Sequence, residues 1–381
     1  MGFRDGVFEM TRTVPPSSRY PSASFVPIAV TLATVATLAA NGGCVPTFDD
    51  DLSSVERPRI LAVQATPAEA RPGERVELSA LVAGGDGVEV PELRWALCHA
   101  RKPLTELGPA AQECLELLGR DEEILEPLGS GLEVGASLPD DACRQFGPDA
   151  PFADDGTLAG RPVDPDVTGG YHQPVVVGGA QEGAEGLGAV LGTVRLSCGA
   201  RNVTDAEAIR FNAGYRPNEN PAMERLEITR GGEVSILEAG SGESVRVSPG
   251  ERVELRVVWP ECPTEPVCGD GMCTAGENQV TCAEDCRDAP RGCAGAESYL
   301  WANPETRRVE ERREAMSVAW YATGGAFEHE RTGRSELEGD EPSSSNRWVA
   351  SSRAGTVQVW IVLRDERGGV GWARYLVEVG G

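Results

Sequence analysis

The sequence predicts an all-β chain built as two sandwiches, and three observations carry that reading. Pro72-Gly-Glu-Arg-Val-Glu-Leu78 recurs letter for letter as Pro249-Gly-Glu-Arg-Val-Glu-Leu255, a turn running into an alternating strand. Gly and Pro number 46 and 27 among 381 residues, which suits short strands joined by turns. Long amphipathic helical stretches are missing, and strand-like runs recur at the spacing expected of a sandwich.

Residues 1–43 are expected to be a signal peptide. Arg12 and Arg19 precede the apolar run Phe25–Ala40, and small residues follow it. As a helix, that run would span about 24 Å, short of the roughly 30 Å hydrocarbon core of a bilayer. Ala40-Asn-Gly-Gly-Cys44 resembles a bacterial lipobox, whose cysteine becomes the acylated first residue. Cysteine parity agrees. The chain holds 11 cysteines, and setting Cys44 aside leaves an even set for disulfides. Residues 44–58 then form a lipidated, acidic tether.

The first sandwich is expected over 59–221. Its strands are Ile60–Ala65, the one after Pro72-Gly73, the Trp-bearing Leu93–Leu97, Tyr171–Val177 and Val194–Cys198. Residues 98–172 read as a partly helical insert, with a short helix over Ala110–Leu118 and acidic loops around Asp140, Asp154 and Asp164. Cys98 and Cys198 close strands expected to be neighbours, so Cys98–Cys198 and Cys114–Cys143 are the pairings chosen among the three that four cysteines allow. Thr204-Asp-Ala-Glu207 is a capping box that should open a helix toward Tyr215.

The second sandwich is expected over 222–381. Leu226–Thr229, the second Pro-Gly strand, the Trp-bearing Val318–Ala322 and Thr356–Leu363 precede a hairpin connection at 364–369 and a return over Val370–Val379. A Trp in a central strand and a terminal hairpin resemble bacterial immunoglobulin-like or PKD-like domains, so the resemblance implies two immunoglobulin-like β-sandwich domains. An insert at 260–294 carries Cys262, Cys268, Cys273, Cys282, Cys286 and Cys293. Its centre resembles the small Cys-Gly-Asp-Gly-x-Cys modules of secreted proteins, notably of myxobacteria. So short a segment buries no core of its own and needs cross-links. An oxidising exterior favours disulfides over zinc thiolates there. Asp270, Glu277 and Asp285 are the candidate Ca²⁺ ligands, set on glycine-rich turns.

Composition narrows the function classes. The formal charge is −25, and the leader contributes +1 of it, so the rest of the chain is more acidic still. That balance argues against a nucleic-acid partner, whose phosphates need a basic footprint. His99, His172 and His329 are isolated, and no Gly-x-Ser-x-Gly, His-Glu-x-x-His or P-loop occurs. The expectation is a non-enzymatic cell-envelope lipoprotein resembling myxobacterial surface lipoproteins, with no cofactor other than candidate calcium. It would be anchored through Cys44, in the outer membrane, and would bind a protein or polysaccharide partner. Alternatives are an envelope hydrolase using carboxylates of the 98–172 insert, or a calcium-stabilised spacer.

Overall fold

The computed structural model describes residues 52–85, 92–101, 110–120, 123–149, 152–153, 155–157, 163–179, 187–263, 267–269, 277, 280–286, 292–338 and 341–380. The expected signal peptide, Cys44, Asp270 and Cys273 lie outside these residues. Strand is by far the commonest regular structure of the described chain, and the all-β expectation holds.

Strands β1 (Arg59–Thr66), β2 (Glu69–Ala70), β3 (Arg75–Ala83), β4 (Leu93–Cys98), β5 (Leu125–Ser130), β6 (Glu133–Ser137), β7 (Tyr171–Gly179) and β8 (Val190–Leu196) form the first sandwich. One sheet runs β1-β3-β6 and the other β2-β8-β7-β4-β5. Their inner faces share a core around Val76, Leu78, Trp95, Leu97, Val175 and Val194. Strands β5 and β6 come from the stretch expected as an insert. They pair with β4 and β3, so part of 98–172 completes both sheets. Helices α1 (Glu113–Glu116) and α2 (Ala142–Gln145) are single turns, and α1 is much shorter than the helix expected over 110–118. Helix α3 (Asp205–Gly214) starts where the capping box places it, with the Thr204 side chain accepting the Glu207 amide. The Glu207 carboxylate does not close the box. It accepts the Val309 amide at 2.8 Å and ties α3 to the second half.

The second sandwich uses β9 (Arg225–Arg230), β10 (Glu233–Glu238), β11 (Ser244–Val247), β12 (Arg252–Val258), β13 (Ser298–Ala302), β14 (Val309–Arg313), β15 (Met316–Ala322), β16 (Ala326–Phe327), β17 (Arg331–Arg334), β18 (Ser343–Val349), β19 (Gly355–Asp365) and β20 (Val370–Val379). Its sheets run β10-β9-β12-β18-β16 and β11-β20-β19-β15-β17, while β13 and β14 form a separate hairpin. Trp259, Trp320 and Trp348 lie fully buried between the two large sheets. The repeated Pro-Gly turn is the same in both halves, with Gly73 and Gly250 at φ +78° and +71°. Proline then glycine at positive φ is what a type II turn asks for.

A third apolar layer joins the halves. Leu61, Ala62 and Ala83 of β1 and β3 pack on Trp360, Val362 and Val370. A register shift between Ile60 and Ala62 lets the neighbouring Leu61 and Ala62 both serve this layer. Strand β19 is buried on both sides. Val357, Val359, Ile361 and Leu363 face the sandwich core, while Trp360 and Val362 face the first half. Period-two alternation puts successive side chains on opposite faces, so a strand covered twice reads as a continuous apolar run.

The disulfides differ from the expected pairing. Cys98 bonds Cys114, and Cys143 bonds Cys198. The expectation failed because β7 lies between β4 and β8, so Cys98 and Cys198 end non-adjacent strands. Cys262–Cys293 closes the base of the cysteine-rich insert, Cys268–Cys282 lies within it, and Cys286 is also disulfide-bonded. Disulfides form and persist in oxidising compartments, and these mark an exported or extracellular protein. No helix among the described residues is long and apolar enough to cross a membrane.

Candidate functional site, a buried ionic junction beside a cleft

The β19–β20 turn drives Arg367 into the space between the halves, where it is fully buried. Its Nε donates to Glu314 at 2.6 Å, its Nη2 donates to Glu297, and its Nη1 donates to the Arg216 carbonyl at 3.1 Å. The Tyr299 ring lies 4.8 Å from the guanidinium carbon. A second buried pair adjoins it. Arg195 of β8 sits 3.3 Å from Glu69 of β2, and its Nη1 donates to Thr168 Oγ1 at 2.6 Å. Glu69 also accepts from Ser197 Oγ at 2.8 Å, Tyr215 Oη at 2.8 Å and the Asn218 amide at 3.0 Å. Asp365 accepts from Asn218 Nδ2 at 3.2 Å and from the Gly369 amide at 2.8 Å. The segment between the halves is thereby tied to strands of both.

Negative charge is in excess around Arg367. One guanidinium meets two carboxylates directly, with Asp365 close by. Burial pushes the Glu297 carboxyl up to about 7, against the pull of Arg367. Burial likewise lifts Glu314 well above its ordinary range, again opposed by Arg367. Glu297 in the folded protein holds its proton up to about 7, against an ordinary value of 4.5, so the folded state binds more protons in that window. Stability from this group is therefore full below about pH 4.5 and falls as pH rises toward 7. Urea midpoints should decline across that window, and Glu297→Gln should flatten the decline. A variant with an unaltered slope would remove Glu297 as the cause.

A cleft of about 940 Å³ opens beside the junction, lined in part by Ile60, Val63, Phe146, Tyr171, His172 and Arg364. At its edge His172 Nε2 lies 2.9 Å from Asp166 Oδ2. This pairing looks like an acid–base dyad, but its surroundings make it a brace. Asp166 Oδ1 already accepts from the Thr168 amide, Thr168 Oγ1 and the Gly170 amide at 2.7–2.9 Å. Although burial opposes it, the His172 hydrogen bond and the Arg195 charge hold the Asp166 carboxyl far below the usual range. The other imidazole nitrogen, Nδ1, is buried without a hydrogen-bond partner beside Gly368. A general base needs a reachable lone pair, and a saturated carboxylate supplies none. Asp166 thus has a structural task, and Asp164 of the same stretch also lines the cleft.

The candidate calcium ligands are only partly brought together. Glu277 is buried, with its carboxylate within 4.8 Å of the Cys282 sulfur and an Asp285 carboxylate oxygen. Cys282 is bonded to Cys268 and offers no thiolate. Asp285 accepts the Gly269 amide, and the Glu277 carbonyl accepts from Arg216. Of the three candidates, two carboxylates are described and close, and Glu284 lies by the same disulfide, against the six to eight oxygens Ca²⁺ takes.

No protein-family model matches the chain, and no curated protein matches it. Solved structures similar to parts of it include the human OSCAR ligand-binding domain, at 10% identity over 85% of this chain and 97% of that one, with a TM-score of 0.17. The C-terminal domain of the Streptococcus pyogenes antigen I/II-family protein AspA gives 9% identity, 86% and 100% coverage and a TM-score of 0.20. A Salmonella alpha-2-macroglobulin gives 10% identity over 86% of this chain and 15% of that one, with a TM-score of 0.19. At these scores the likenesses carry no argument about function, and the fold rests on the strand pairing itself.

Proposed function

We infer that the protein is a non-enzymatic module of the bacterial cell envelope, exported, held by lipid at Cys44 in the outer membrane, and presenting a rigid double sandwich to a protein or polysaccharide partner. The observation that carries this reading is the ionic junction. Each half keeps its own buried ion pairs, while hydrogen bonds such as Arg367 to the Arg216 carbonyl and Asn218 to Asp365, with the apolar layer, join the two into a stiff platform, and loops on a stiff platform are well suited to binding. The groups best placed for chemistry, Asp166 and His172, are spent on holding a loop. Fold alone assigns no activity, so the partner must be found by binding.

Glycan-array screening and pull-down with the purified protein should give a saturable partner and no turnover. Intact mass should show an acyl increment on Cys44. Release of product from any captured glycan or peptide would replace the binding role with a hydrolytic one. A protein carrying an unprocessed 1–43 segment would remove the lipid anchor from the account.

A further inference from the structure

The β9–β10 hairpin leaves one sheet edge unlike the others. Strand β10 is outermost in its sheet. Gly231 and Gly232, at φ +53° and +92°, form the two-residue turn before it, and such turns require positive values at both positions. Arg230 and Glu233 flank that turn as a pair. Glu233, Ser235 and Leu237 therefore turn their amides and carbonyls toward β9, while Val234 and Ile236 turn theirs outward; the Glu238 carbonyl accepts the Ser241 amide at 3.2 Å. Val234 and Ile236 are 55% and 51% exposed, and Leu237 is buried and holds the strand on the core.

Sheet edges of this kind invite pairing and are usually blunted. The other described edges of the four sandwich sheets are. Strand β17 reads Arg-Thr-Gly-Arg, and β2 and β16 have two residues each. Strand β5 carries Pro127, β6 opens with Glu133, and β11 places Arg246 outward. The edge strand β1 has its Leu61 and Ala65 carbonyls capped by Arg364 and Asn220. Only β10, among the described residues, combines length with two exposed aliphatic side chains. Glu233 and Glu238 bracket that pair, both exposed, and among the described residues neither is ion-paired.

We propose that β10 is a docking strand that takes up one extended peptide segment of a partner by edge-to-edge pairing, the segment reading basic, any, aliphatic, any, aliphatic, basic. Antiparallel addition sets that pattern. Alternate residues of the added strand fall opposite Glu238, Ile236 and Val234, and the next falls opposite Glu233. Aliphatic residues opposite Val234 and Ile236, and basic ones opposite the carboxylates, give favourable cross-strand pairs. A second copy of this chain would present the same acid-bracketed strand on a body of charge −25, so charge disfavours self-pairing. The proposal rests on the binding-module reading and names the chemistry of its partner.

The test uses the full chain and two labelled hexapeptides with the same aliphatic core, one ending in lysines and one in glutamates. Fluorescence anisotropy at low salt should show the lysine-ended peptide binding roughly tenfold tighter or more. Ile236→Lys, at an exposed position that leaves the circular dichroism spectrum unchanged, should weaken it by about the same factor. Reversing both charges, Glu233→Lys with Glu238→Lys, should invert the preference. Equal affinities, or indifference to Ile236→Lys, would overturn the proposal. So would sedimentation showing a dimer that Ile236→Lys dissolves, because a second copy would then be the occupant. If the chain captures a glycan or protein while the peptides are not distinguished, β10 falls and the binding module stands. If the lysine-ended peptide docks as described while arrays and pull-downs stay empty, β10 stands and the wider reading loses its support.

Discussion

Arg367→Met should be the most damaging single substitution at the junction, lowering unfolding free energy by about 3–5 kcal/mol, the range seen when one partner of a buried ion pair is removed. The side chain is fully buried and faces Glu297 and Glu314. Its loss leaves the buried Glu297 and Glu314 carboxyls without the cation that opposes the cost of their burial. Adding Glu297→Gln and Glu314→Gln to Arg367→Met should restore much of the loss, because neutral amides no longer need a cation there. Denaturant unfolding of the single and triple variants measures both effects. A single variant that unfolds at the parent midpoint would mean that the Arg367 pairs do not stabilise the fold.

The disulfide Cys143–Cys198 should rank second. It joins residues 55 apart, and the chain-entropy relation gives about 4 kcal/mol for a loop of that length. Cys98–Cys114 spans 16 and should contribute about 3 kcal/mol by the same relation. Paired serine replacements, Cys143→Ser with Cys198→Ser and Cys98→Ser with Cys114→Ser, should therefore fall in that order in a denaturant titration. The opposite order would show that native contacts around each bridge outweigh the constraint on the unfolded chain.

The elements that can be read from sequence are those whose spelling depends only on local geometry. Both Pro-Gly turns, the Trp strands, β19 with its continuous apolar run, and the Thr204 cap fall where the residues place them. Strands β5 and β6 escaped because Pro127, Gly129 and Gly135 make them look like loop. The disulfide pairing depends on sheet order, and nothing in the letters says that β7 separates β4 from β8. The junction was hidden for another reason. Arg195 stands between Val194 and Leu196, and Arg367 stands in a turn of Asp, Glu and Gly; each has the same spelling whether it meets water or a buried carboxylate.

Strand β19 is walled in on both sides, and this constrains how the molecule can change. In a free-standing sandwich, half of a central strand's positions tolerate drift because they look onto solvent or a loose neighbour. Here Trp360 and Val362 press on the opposite half while Ile361 and Leu363 fill the interior, so each answers to a separate set of contacts. Neither half can be exchanged for another sandwich without recutting the surface on which the remaining one rests.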